Sequence, residues 1–359
     1  MIYFLIGTKA QLIKMFPLMR QLQTVGVPYG YIDTVQHGPL CENIRAILKL
    51  SPPDHFLAKP GTQIESTGSA ITWGIGIVFR AIVRRKLIFP EKGIVLVHGD
   101  TLSTLLGMII GRVCGQQVCH VEAGERTHKL LSPFPEEIIR RIVDKHSNLL
   151  LACGPQQFKN IQAEGILRKT INLDYNTLLD AVQTVAESDI NPVNQDQKHS
   201  IMVSIHRFET ITSKSRMDFL VNALEKLSQT DHIIFGLHPP TRKKFEEFGQ
   251  MQRLQNMANL HLRDLFEYPE FIRTLRSCKF IITDGGGPQE ESYFLGIPCL
   301  LLRSETERNH PNVFMAEWDL TKVEWFNENY GKYARPPLAL TMSPSKKAVE
   351  AILEHMEIK

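Results

Sequence analysis

An α/β chain with two doubly wound parallel sheets is predicted by three features of the sequence. Short apolar runs alternate with helical patterns from one end to the other, as in parallel sheets assembled from right-handed crossovers. The runs end repeatedly in Gly, His or a carboxylate just where a helix begins. IYFLI meets Gly7-Thr8, GIVLV meets His98-Gly99-Asp100, and CGQQVCHV meets Glu122-Ala123-Gly124; later IMVSI meets His206-Arg207, HIIFGL meets His238, and KFIIT meets Asp284-Gly285-Gly286-Gly287. Finally, AESDINPVNQDQKHS is polar, carries a Pro and lacks periodicity, and so divides the 359 residues into two halves of domain size.

In order, the front half should hold strands near 2–6, 28–33, 94–98, 117–121, 148–152 and 170–173, and helices near 10–25, 40–49, 101–113, 136–147, 155–165 and 176–186. The rear half should hold strands near 201–205, 232–237, 259–262, 279–283 and 298–302, and helices near 214–228, 241–249, 268–277 and 287–295. A Pro-rich stretch, ARPPLALTMSPSK, precedes a last amphipathic helix near 345–357. The predicted division is therefore a first domain over 1–186, a linker over 187–200, a second domain over 201–342 and a terminal helix over 343–359. Such a pair of domains forms either a tandem array or the GT-B arrangement, in which two Rossmann-like sheets face each other across a cleft. Ligands of open α/β sheets bind beyond the strands' carboxyl ends, so polar strand ends in both halves predict one shared site.

Composition narrows the function classes. Apolar residues make up 43% and charged residues 22%, as in a soluble globular protein. The net charge of +3 suits an anionic small ligand and is too small to point to nucleic acid. The six cysteines are scattered inside apolar runs, which predicts core packing in a reducing compartment, with neither disulfides nor a zinc site. The start MIYFLIGTKAQ reads as a strand, not as a signal peptide, and no run reaches the roughly 18–20 apolar residues of a membrane span. A cytoplasmic protein is expected.

Several residues could carry chemistry. The run Thr283 to Glu291 follows a strand and opens a helix, with glycines that let the backbone approach a ligand and a helix start that favours phosphate. The bland reading is a tight turn. Pro288 suits an early helical turn, and Glu291 could accept both hydroxyls of a ribose or stand exposed near the helix start. Asp100 and Glu122 end neighbouring strands, and clustered carboxylates raise one another's pKa, which suits proton transfer. Asp100 could instead cap the next helix. Glu136 and Arg140 lie four apart at a helix start, the spacing of an ordinary ion pair. The basic and imidazole candidates are Lys9, Lys14, His206, Arg207, His238, Arg303 and Arg308.

The motifs HGDTLSTL, HVEAGERT, SPFPEEIIRR, SIHRFET and TDGGGPQEESYFLGIPCLLLRSETER, in this order, closely resemble the bacterial UDP-N-acetylglucosamine 2-epimerases. The resemblance runs from GTKAQLIKMFPL to the last helix. It implies a GT-B fold, a homodimer in the cytoplasm, a UDP-sugar substrate, no metal or nicotinamide cofactor, and a last helix packed back on the first domain. It places three catalytic acids on Asp100, Glu122 and Glu136, an arginine on Arg140 and a histidine on His206. The diphosphate turn falls on Gly285, Gly286 and Gly287, the ribose carboxylate on Glu291, and the N-terminal cations on Lys9 and Lys14. His238 and Arg303 complete the expected UDP shell.

The chain departs from the family pattern in four places. Lys9-Ala10-Gln11 replaces Arg-Pro-Glu, and lysine lacks the guanidinium fork. Gly285 replaces a serine. His206-Arg207-Phe208-Glu209 replaces His-Arg-Arg-Glu, and Tyr175-Asn176-Thr177 replaces Gly-Asn-Thr. The expected reaction is epimerisation at C2 of a UDP-N-acetylhexosamine through loss of UDP, a glycal and re-addition. The non-hydrolysing type is favoured by Pro135-Glu136-Glu137. A hydrolysing 2-epimerase, a GT-B glycosyltransferase and a nucleotide-sugar sensor are the rivals.

Overall fold

The computed structural model describes residues 1–62, 64, 66–128, 134–188, 199–306, 309–339 and 343–357. It divides into two compact units.

The first unit starts at Met1 and contains a seven-stranded parallel sheet. Its strands are β1 (Ile2–Ile6), β2 (Tyr29–Asp33), β3 (His55–Phe56), β4 (Ile94–His98), β5 (Gln117–Ala123), β6 (Leu149–Ala152) and β7 (Lys169–Asn172). Every residue of β1 and β4 is buried, as central strands covered by helices on both faces must be. The sheet order is β3-β2-β1-β4-β5-β6-β7, so the winding direction reverses between β1 and β4. The helices are α1 (Lys9–Thr24), α2 (Gly38–Ile47), α3 (Thr67–Val83), α4 (Arg85–Ile88), α5 (Leu102–Val113), α6 (Glu136–His146), α7 (Pro155–Ala163) and α8 (Leu178–Ser188). Side-chain caps start α1 and α5: Thr8 with Gln11, and Thr101 with Thr104, each form a capping box.

The second unit begins at Val182, within α8. Its six parallel strands are β8 (Ile201–Ser204), β9 (Ile233–Leu237), β10 (Leu260–Asp264), β11 (Phe280–Thr283), β12 (Cys299–Leu301) and β13 (Val313–Met315). Their order is β10-β9-β8-β11-β12-β13, with the reversal between β8 and β11. The helices are α9 (Phe208–Ile211), α10 (Lys214–Leu227), α11 (Pro239–Glu247), α12 (Met251–Gln255), α13 (Tyr268–Ser277), α14 (Gly286–Leu295) and α15 (Leu320–Asn329), then a 3₁₀ turn over Tyr330–Tyr333.

The last helix, α16 (Pro344–His355), belongs to the first unit. It packs on α1 and β6, and the N–H of Ser345 donates to Asp180 Oδ2 at 2.7 Å. The chain thus leaves the first unit and returns to it. Of the predicted linker, residues 189–198 lie outside the described residues, as does Arg308.

Besides the short α4, α9, α12 and 3₁₀ turns of four or five residues, four elements depart from expectation. β3 and β13 have two and three residues, too short for any periodic signal. α3 is apolar almost all round and carries Gly68, Gly74 and Gly76, so neither a stripe nor propensity marks it as a helix. α15 was also unforeseen, although Asp319 caps it. Among the described residues no helix is long and apolar enough to cross a membrane, and all six cysteines are free.

Candidate active site

In the first unit the polar strand ends gather where the sheet order reverses. Asp100 follows β4 after Gly99, whose φ of +67° turns the chain sharply. The bland reading of Asp100 fails, because Thr101 is the residue that caps α5. Asp100 Oδ2 instead accepts from Arg140, at 2.9 Å from Nε and 2.6 Å from Nη2. Arg140 therefore does not close the expected ion pair with Glu136. Burial opposes the Arg140 charge, but Asp100, Glu125 and Glu122 outweigh it and hold its pKa above the ordinary value.

Glu122 sits on neighbouring β5 and is buried. Its φ of +69° coincides with a register shift between Val121 and Ala123. That conformation costs a residue with a side chain about 1–3 kcal/mol and persists only where surrounding contacts impose it. The contacts are close: Lys14 Nζ and Asn176 Nδ2 both lie 2.6 Å from Oε1, and His98 Nδ1 lies 3.5 Å from Oε2. His98 is enclosed, and burial pushes its pKa down to about 3 despite the Glu122 charge, so the ring is neutral. The bare carboxylate cluster inferred from sequence is therefore two ion pairs.

Glu136 opens α6, where the helix dipole favours a carboxylate. Its Oε2 is buried without a hydrogen-bond partner among the described residues, as are His98 Nε2 and Arg140 Nη1. An uncompensated buried polar atom costs about 1–3 kcal/mol, which a ligand at this site would relieve. The neighbouring Glu137 is structural: it is wholly buried and accepts from Thr127 N and Arg141 Nε, both at 3.0 Å.

Sequence reasoning missed several supporting residues. Gln11, noted only as a departure, joins α1 to the β4 end: Oε1 accepts from Gly7 N and Thr8 N, and Nε2 lies within 3.0 Å of His98 O, Thr101 Oγ1 and Thr104 Oγ1. Asn176, likewise noted only as part of an altered turn, orients Glu122. His120, Asp144 and Arg126 form a buried network behind the acids. Lys9 is the first residue of α1 and is half-buried.

In the second unit the reversal point carries His206 and the glycine turn. Asp284, wholly buried at the end of β11, accepts from His206 N at 3.1 Å and Arg207 N at 3.0 Å, tying the β8 end to the β11 end. The His206 ring stacks on His238 with centroids 4.6 Å apart. Burial lowers the His206 pKa, partly opposed by Asp284, so this ring too favours the neutral form.

Gly285 is the N-cap of α14, and its N–H donates to Thr283 Oγ1 at 3.1 Å. A Cβ there would stand 2.5 Å from His206 Cε1, whereas one on Gly287 would meet open space. Gly286 and Gly287 form the first two positions of α14, and Pro288 the third. Glu291 is buried on α14, not exposed. It lies beside Tyr268, whose phenol is pushed up by burial and by the Glu291 and Glu290 charges. Arg303 is half-buried just beyond β12.

Known proteins resemble this chain in sequence and fold. The family profile described as UDP-N-acetylglucosamine 2-epimerase matches residues 22–315. The UDP-N-acetylglucosamine 2-epimerase of Methanococcus maripaludis is 32% identical over 85% of this chain and 83% of its own length. That of Bacillus subtilis is 30% identical over 84% of this chain and 78% of its own. Among solved structures, UDP-GlcNAc 2-epimerase from Methanocaldococcus jannaschii, in complex with UDP-GlcNAc and UDP, superposes with a TM-score of 0.82 at 25% identity, covering 99% of both chains. The enzyme from Neisseria meningitidis bound to UDP-GlcNAc gives 0.80 at 27% identity over 100% of both.

Proposed function

This chain belongs to the UDP-N-acetylglucosamine 2-epimerase family, an isomerase family, and from that premise we propose that it epimerises C2 of a UDP-N-acetylhexosamine without net hydrolysis. The observation that carries the reading is the pair of acids at neighbouring strand ends, Asp100 held by Arg140 and Glu122 held by Lys14 and Asn176. Glu136, with one oxygen buried and unpartnered among the described residues, stands at the start of the helix that carries Arg140.

The C2 hydrogen of the sugar has no adjacent carbonyl to acidify it. The C1–O bond therefore breaks first or in concert, and its electron pair leaves with UDP. Positive charge develops on the ring beside the carboxylates, one of which takes the C2 proton to give a glycal. Protonation of the opposite face of C2 and return of the UDP oxygen to C1 complete the inversion. Asp100, Glu122 and Glu136 share the acid–base and charge-stabilising work, with Arg140 setting the position of Asp100. The second unit's share is to bind UDP. The α14 start at Gly286–Gly287 takes the diphosphate, with Gly285 shaping the turn, and Glu291 takes the ribose. His206 and His238 can donate hydrogen bonds to the departing UDP, and Arg303 offsets its charge, a part proposed for Lys9 and Lys14 as well.

The helix start Pro135-Glu136-Glu137 supports the non-hydrolysing type. We further propose a homodimer in the cytoplasm whose product supplies surface polysaccharide synthesis. An exposed apolar stripe on α3 supports the dimer, and the free cysteines fit a reducing compartment.

Incubation with UDP-N-acetylglucosamine in D₂O, followed by NMR, tests the reaction. The expected result is deuterium at C2 of a mixture of UDP-N-acetylglucosamine and UDP-N-acetylmannosamine. Free N-acetylmannosamine with UDP would instead identify the hydrolysing reaction, and binding without exchange would reject epimerisation.

A further inference from the structure

Behind the acids of the first unit lies a buried charge network that contains none of them. His120 and Asp144 are both fully enclosed, with His120 Nδ1 2.6 Å from Asp144 Oδ1. The other ring nitrogen, Nε2, lies 2.8 Å from the carbonyl oxygen of Gly99. The second carboxylate oxygen of Asp144 accepts from Gly124 N at 3.1 Å and from Arg126 Nη2 at 2.7 Å. Arg126 is anchored in turn by two 2.7 Å contacts to Glu164 and one of 2.8 Å to the carbonyl oxygen of Glu125.

The two backbone groups this network grips are informative. Gly99 O belongs to the peptide that joins Gly99 to Asp100. Gly124 N lies two residues beyond Glu122, on the far side of the register shift. In a regular strand His120 and Glu122 would project from the same face of the sheet. Here Glu122 has a positive φ, and the two side chains reach the Gly99 turn differently: His120 Nε2 meets Gly99 O, while Glu122, held by Lys14 and Asn176, brings Oε2 to 3.1 Å from where a Gly99 Cβ would stand. Gly124 is itself confined, because a Cβ there would stand 2.2 Å from Gln157 O. Buried ion pairs are seldom the cheapest way to stabilise a core, yet this one reaches both acid-bearing turns at once.

We propose that His120, working through Asp144, is the positioning residue that sets the distance and orientation of Asp100 relative to Glu122. It touches neither acid and acts through the backbone of each turn. The proposal rests on the epimerase reading for its kinetic consequence, but not for its structural one.

Two isosteric variants separate the contacts. His120→Asn keeps a nitrogen near the Nδ1 position and loses the Gly99 contact; His120→Gln keeps one near Nε2 and loses the Asp144 contact. For His120→Asn, C2 exchange in D₂O should show kcat falling about 100-fold, the scale of a 1 Å misplacement. KM and the affinity for UDP should stay close to wild type. His120→Gln, which keeps the Gly99 contact but loses the Asp144 link, should fall between His120→Asn and wild type, about 10-fold below wild type. Wild-type kcat in His120→Asn overturns the proposal, as does a loss shared equally by KM and UDP affinity, or His120→Gln no better than His120→Asn. If His120→Asn does not fold, His120→Gln alone decides: wild-type kcat in that variant refutes a role for Asp144. A wild-type protein that shows no C2 exchange would sink the epimerase reading instead. The positioning role is then read from a crystal structure of His120→Asn, where the Arg140–Asp100 contact should be broken; its retention at 2.6–2.9 Å refutes the role.

Discussion

Gly285 shows how one missing hydroxymethyl group can shape a site. Where the resembling family carries serine, this chain has no side chain, and His206 occupies the vacated space. Its ring leans within 2.5 Å of where a Cβ would stand and stacks on His238. Gly285→Ser should therefore push the imidazole out of the stack. Overpacking of this kind costs about 1–3 kcal/mol when neighbours cannot move, but His206 is part-exposed and can rotate, so stability should change little. The measurable effect should be loss of the ring-current shift on the His206 Cε1 proton in NMR, with weaker UDP binding. An unchanged shift would show that the ring is held by Asp284 and the backbone alone. Gln11 makes the related point about polar residues. Its role is visible only in three dimensions, because its partners at His98, Thr101 and Thr104 are about ninety positions away.

At the scale of elements, α3 stands apart. Ile75, Phe79 and Val83 are each about two-thirds exposed, and Ile71 and Ile82 extend the same apolar surface. Gly76, near the helix midpoint, has no atom within 4 Å of a built Cβ. A glycine inside a helix costs about 1 kcal/mol relative to alanine, and a close-packed partner helix is one use for the bare backbone. A second copy lying across α3 would bury this stripe against itself in an isologous contact. Phe79→Glu should accordingly turn a dimer into a monomer, measured by sedimentation velocity at micromolar concentration. A species of unchanged mass would remove α3 from the interface. The helix also shows where sequence reading fails. Strands β1, β4 and β8 announce themselves as unbroken apolar runs between glycines and polar turns. α3 has apolar residues on every side, and none of the described residues covers its outer face, so the pattern that separates inside from outside is missing.

For the whole molecule, chemistry and nucleotide recognition are assigned to different units. Asp100→Asn and Glu122→Gln should each lower turnover by about 1,000-fold or more, since each removes a charge that the proposed transition state uses. UDP affinity by calorimetry should stay near wild type, because the residues proposed to grip UDP are largely in the second unit. A parallel loss of UDP binding would contradict that assignment. That Asp100 and Glu122 stand at the ends of neighbouring strands was legible from sequence, because each closes an apolar run. The partners that hold them were not. Asp144 lies 24 residues from His120 and 18 from Arg126, and no local spacing marks three side chains that meet only after β5, α6 and the loop between them have packed.

The return of α16 to the first unit has a consequence for synthesis on the ribosome. The second unit can finish folding once its own strands have emerged, although it is encoded later than most of the first. The first unit must wait, with the surface of α1 bare, until Pro344–His355 arrives to cover it. In synthesis order, the segment that covers the half bearing the proposed acids therefore comes after the whole of the second unit.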